Sequence, residues 1–152
     1  MTNLGKIAAL VFVGMALTFS SAFSQGLADL QREAESGGAK AQFHLGLMYD
    51  KGEGVPQDYA EAFKWYRKAA ELGHVSAQFN LGFIYAYGMG VPEDLGEAVK
   101  WLEIAARLGK GTVRELAAKM RNDISVRMTR QQIAEAGRLA REWLGKYKAR
   151  KK

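Results

Sequence analysis

The 152-residue chain is long enough for one modest domain and contains no cysteine, which excludes disulfides, thiol catalysis, thiolate metal sites and a lipid on an N-terminal cysteine. Apolar residues make up 48% and charged residues 25%, with few β-branched side chains and only two prolines, a balance that favours helices over strands. The formal charge of +6 is uneven: Lys110 to Lys152 carries 13 basic and 4 acidic residues, which leaves the remainder near −3.

In chain order, residues 1–24 read as a secretory signal peptide. Lys6 supplies the positive start, Ile7 to Phe19 an apolar run, and Ser20, Ser21, Ala22 and Ser24 the small residues before a cleavage point that makes Gln25 the new N-terminus. An uncleaved anchor is the alternative, but a spanning helix needs about 20 apolar residues and this run is shorter. Export directs the function to the periplasm or the cell exterior. Leu27 to Ser36 follows as a capping helix within 25–38, before Gly37.

The chain then repeats itself at a constant offset of 36 residues. Ala41-Gln42-Phe43 recurs as Ala77-Gln78-Phe79, Leu45-Gly46 as Leu81-Gly82, and Tyr49 as Tyr85. Gly52, Gly54, Val55, Pro56 and Asp58 recur as Gly88, Gly90, Val91, Pro92 and Asp94. Ala62, Lys64, Trp65 and Ala69 recur as Ala98, Lys100, Trp101 and Ala105. A period of this size means stacked supersecondary units, 39–73 and 74–109.

Each unit predicts two helices. In the first, Ala41, Leu45 and Tyr49 fall on one stripe at i, i+4 and i+8. The Gly-x-Gly-Val-Pro segment breaks the helix, and Asp58 with Glu61, then Asp94 with Glu97, offers a capping box for the second helix. Ala62, Trp65, Tyr66, Ala69 and Ala70 form its buried stripe, and Gly73 and Gly109 end the two second helices as left-handed caps. Gly46 and Gly82 sit in mid-helix, where glycine costs roughly 1 kcal/mol, so close approach of the partner helix is expected there.

Over 110–148 a degenerate third unit is predicted. Val113, Leu116, Ala117, Met120 and Ile124 stripe its first helix. Thr129 with Gln132 caps a second, striped by Ile133, Ala136, Ala140, Trp143 and Tyr147. Residues 149–152 form a basic tail.

The repeated residues resemble the Sel-1-like repeat family, relatives of tetratricopeptide repeats, with the pattern running from Ala34 to Ala70 and again from Ala70 to Ala106. Met128 to Trp143 is similar to the closing helix of exported members, with Arg130 where proline is common. The resemblance implies an all-α fold, an alpha-alpha superhelix or solenoid of helix-turn-helix units that mediates protein–protein contacts without catalytic residues or cofactors. By the same resemblance, the concave face is lined by the first helices. Matching to the tetratricopeptide pattern puts Lys40, Phe43, Leu47, Asp50 and Lys51 there, with Ser76, Phe79, Phe83, Ala86 and Tyr87 in the second unit.

Catalytic chemistry is not signalled. His44 and His74 have no metal-ligand spacing, and no serine sits in a nucleophile elbow. The expected role is a non-enzymatic adaptor in the cell envelope that binds another protein or peptide, with no metal and no nucleic-acid partner. The alternative is attachment to anionic lipid or cell-wall polymer through Lys146, Lys148, Arg150, Lys151 and Lys152.

Overall fold

A computed structural model describes residues 25–152; the signal peptide expected over residues 1–24 lies outside the described residues. All regular elements among them are helices: α1 over residues 25–35, α2 Ala39–Lys51, α3 Tyr59–Glu71, α4 Val75–Tyr87, α5 Leu95–Leu108, α6 Gly111–Ser125 and α7 Arg130–Arg150. The helices pack in consecutive pairs, α2 on α3 and α4 on α5, and each pair joins the next through α3–α4 and α5–α6 contacts.

The two repeat loops solve the same hydrogen-bonding problem in the same way. The last turn of α2 leaves carbonyls without helical partners. Gly52, with φ of 72°, turns its N–H back to Met48 O, and Gly88, with φ of 65°, does the same to Ile84 O. The loop then folds under the helix end, so that the Asp58 N–H donates to Tyr49 O and the Asp94 N–H to Tyr85 O, both at 2.9 Å. Each aspartate next starts the second helix. Asp58 Oδ1 accepts from Ala60 N at 2.9 Å and Glu61 N at 3.0 Å, and Asp94 Oδ1 accepts from Glu97 N at 2.9 Å. The reciprocal half of the expected capping box is absent in both. Glu61 pairs with Lys64 instead, and Glu97 accepts from Lys100 and from Trp101 Nε1. Thr129 and Gln132 do form the full box at the start of α7.

Gly46 and Gly82 are where the partner helix comes close. A Cβ at Gly46 would lie 2.6 Å from Tyr66 Cδ1, and one at Gly82 would lie 2.7 Å from Leu102 Cγ. Gly109 departs from the expected left-handed cap: its φ is −71°. It is glycine for a different reason, since a Cβ there would meet Ala105 O at 2.6 Å.

Tyr66, Leu45, Leu81, Leu102 and Ile104 are the large, fully buried apolar side chains of the core, set among alanines of both repeats. Two buried glutamines clip successive units together. Gln42 Nε2 donates to Ala34 O at 2.9 Å and Gln78 Nε2 to Ala70 O at 3.1 Å. Trp101 is buried as expected, but Trp65 is only half-buried, packed against the cluster of Ala34, Ala41 and Leu45 and covered by the Lys68 ammonium 4.1 Å above its ring.

The C-terminal part differs most from expectation. α7 does not pair with α6 as α3 does with α2; it packs along α5. Ala136, Ala140 and Leu144 are buried there, Leu144 in addition to the expected stripe. Trp143 meets Trp101 edge-on at 5.6 Å and donates Nε1–H to Glu71 at 3.0 Å, and Tyr147 closes over Gly73. α7 thus straps the second repeat to the end of α3. One consequence is that Leu116, expected in the buried stripe of α6, is 49% exposed, because no second helix covers it. No described helix is long and apolar enough to cross a membrane.

Candidate partner-binding face

The residues assigned from the sequence to a binding face lie on α2 and α4, and burial divides them. Phe43 and Leu47 are half-buried and pack against the Tyr66–Leu81 core. Phe43 also stacks on His74, ring centroids 4.4 Å apart. Phe79 is half-buried against the core between α4, α5 and α6. Ala86 is a correction. At 1% exposed it belongs to the core, because the face turns past it within the last turn of α4. Lys40 and Lys51 are exposed, Lys51 facing Glu53 at 3.8 Å, and Ser76 is half-buried.

Phe83 and Tyr87 are the exposed centre of this face, 39% and 61% exposed, with ring centroids 4.6 Å apart. Beside them a cleft of about 250 Å³ opens between the end of α2 and α4, lined by Asp50, Tyr66, Phe79, Asn80, Phe83 and Met89. Three of these come from the sequence assignment. Tyr66, Asn80 and Met89 do not. Asn80, Phe83 and Tyr87 stand at i, i+3 and i+7 on one helix face, a spacing visible in the sequence. Tyr66 was legible only as core, and Met89 only as loop.

Tyr66 crosses from the core into the cleft, where its hydroxyl donates to Asp50 Oδ2 at 3.0 Å. Burial, then the Asp50 charge, pushes the Tyr66 phenol far above its usual range, so it stays a hydrogen-bond donor at any physiological pH. Asp50 is occupied as its acceptor. What the cleft offers an incoming chain is an apolar rim, the Asn80 amide and one engaged carboxylate, which suits peptide binding. Among the described residues no three His, Asp or Glu side chains converge as a metal site.

His74, stacked on Phe43, caps α4 by accepting from Ala77 N at 3.3 Å. Burial, with a smaller contribution from His44, lowers its pKa below 6.5. At the other end of the molecule, Lys146 pairs with Glu142 at 2.8 Å and Lys151 lies over Tyr147 at 4.9 Å, while Lys148, Arg150 and Lys152 are exposed.

Comparison with known proteins places this architecture. The Sel1 repeat family model matches residues 39–74 and 75–110. A solved protective antigen present in uropathogenic Escherichia coli strains, displaying an SLR fold, aligns over 80% of this chain at 34% identity with a TM-score of 0.73. A solved Sel1 repeat protein from Oxalobacter formigenes aligns over 55% of this chain at 43% identity with a TM-score of 0.53. The alignments span only 25% and 35% of those longer chains. No curated protein matches. Sel1 repeat proteins are in general protein–protein interaction modules, scaffolds rather than catalysts. This chain thus carries two tandem Sel1 repeats and is similar in fold to solved Sel1 repeat proteins.

Proposed function

We propose that the protein is a non-enzymatic adaptor of the cell envelope, exported by its N-terminal segment, which docks an extended or helical peptide on the concave side formed by α2 and α4. The observation that carries this reading is the adjacent, exposed Phe83 and Tyr87 beside the Asp50–Asn80 cleft. Exposed aromatic pairs next to a concave site supply much contact area for little lost side-chain freedom. α7, which packs on α5, leaves them open.

The test is crosslinked co-purification of the tagged chain from its native envelope, beside a Phe83→Asp/Tyr87→Asp variant. These two positions are exposed, so the variant keeps its core. Leu47→Asp would instead strike residues packed on Tyr66. A single protein enriched with the wild type and lost with the variant supports the adaptor. Equal recovery from both sinks it.

A second reading rests on the basic end, where Lys148, Arg150 and Lys152 are exposed in a segment of net charge +9. There the chain would bind anionic lipid or wall polymer. Such binding falls steeply with ionic strength, whereas docking on Phe83 and Tyr87 does not.

A further inference from the structure

The outer face of α3 carries a groove of about 570 Å³, lined by Phe63, Lys64, Arg67, Lys68 and Leu72 and closed by Arg150 from the end of α7. The internal repeat supplies a comparison. At the 36-residue offset, Phe63, Arg67, Lys68 and Leu72 become Val99, Glu103, Ile104 and Leu108 on α5. There Val99 and Ile104 are buried and Leu108 half-buried, with α7 packed along the helix. On α3 the same face is open: Lys68 is exposed and Leu72 is 48% exposed.

The charge on this face is predominantly positive, four cationic side chains to one carboxylate. Lys64 is paired with Glu61, and Lys68 lies over the Trp65 ring. Arg67 and Arg150 have no ion pair among the described residues. The groove's one carboxylate, Glu71, is held by the Trp143 indole N–H. An apolar floor under two unpaired guanidiniums is complementary to a segment with carboxylates beside an apolar anchor. Guanidinium forks bind carboxylates bidentately, and helices dock by laying an apolar stripe into such grooves.

We propose that this groove is a second docking site, taking an acidic amphipathic helix of a partner protein whose carboxylates meet Arg67 and Arg150 and whose apolar side chains cover Phe63 and Leu72. It is separate from the α2/α4 face and does not depend on it.

The experiment is fluorescence anisotropy with the full chain and a labelled peptide of about 14 residues, matched to the ~20 Å length of α3. The peptide carries glutamates on one helical face and leucines on the other, and a control carries lysine for every glutamate. The acidic peptide binds and the lysine control does not. The Arg67→Glu/Arg150→Glu variant weakens binding about tenfold or more, and Leu72→Ser weakens it about threefold or more. Phe83→Asp leaves it unchanged. Circular dichroism confirms that the variants stay folded, since all three substituted groove positions are exposed.

Four results overturn the proposal. One is undiminished binding by the double arginine variant. Another is undiminished binding by Leu72→Ser, which would mean attraction to polyanions alone. A third is binding to phosphatidylglycerol vesicles that the peptide fails to displace. The last is a dimer of the wild type that the double variant dissolves, which would assign the groove to a second copy of the chain.

Discussion

Gly46 lies directly beneath the ring of Tyr66, which is fully buried and holds Asp50 through its hydroxyl. The ring cannot retreat, because Phe43 packs on it with centroids 5.8 Å apart and the Asp50 bond fixes its tip. Gly46→Ala gains about 1 kcal/mol of helix propensity. Overpacking against the ring outweighs that gain, for a net loss of about 1–3 kcal/mol. The thermal midpoint should fall by roughly 5–10 °C. A midpoint at or above that of the wild type would show that Tyr66 has room to move.

Trp143 is the residue through which α7 holds both repeats, meeting Trp101, Tyr147 and Glu71. Trp143→Ala should cost about 2–4 kcal/mol, somewhat less than a fully buried tryptophan because the ring is half-exposed. The expected signature is local. Amide exchange in Arg130–Arg150 should speed up far more than in α2 or α3, since α7 packs chiefly along α5. Uniform acceleration would mean that α7 and the repeats unfold as one unit.

His74 makes stability depend on pH. Its Nδ1 must be unprotonated to accept from Ala77 N, and burial lowers its pKa below the ordinary 6.5. The unfolded chain therefore binds the proton more readily than the folded one. Stability is whole above about pH 6.5 and declines as pH falls from there toward the folded value. Urea midpoints at pH 7.5 and pH 5.5 should show this loss in the wild type. His74→Asn keeps a capping side chain that does not titrate and should flatten the difference. An equal pH dependence in both proteins would rule out His74 as its source.

Glu103 also loses its contribution on acidification, but at lower pH and through ion pairs instead of a cap. Burial raises its pKa, but hydrogen bonds from Arg107 and Arg121 outweigh that and hold it below 4.5. Its contribution is present above that value and lost as pH falls through the folded pKa. Glu103→Gln should cost about 1–3 kcal/mol at pH 7, because the Arg121 guanidinium of α6 loses its charged acceptor. It should also make the acid limb of the stability curve shallower. An unchanged acid limb would assign acid sensitivity to other carboxylates.

Much of this molecule was legible in the sequence because its repeats are local. The 36-residue offset, the Gly-x-Gly-Val-Pro loops, the Asp58 and Asp94 caps and the mid-helix Gly46 and Gly82 each depend on neighbours within one unit. Backbone hydrogen bonding and glycine conformation act over a few residues, so residue type and spacing announce them. The tertiary structure decided what depends on distant partners. Apolar periodicity tells which side of α7 is buried but not against what: the helix packs along α5, with Trp143 on Trp101, and reaches Glu71 and Gly73 at the end of α3, some 70 residues away in the chain. That choice exposes Leu116. Within the face on α2 and α4, Ala86 is buried while Phe83 and Tyr87 are open, a division set by which neighbouring helix reaches each position and not by any property of the residues themselves.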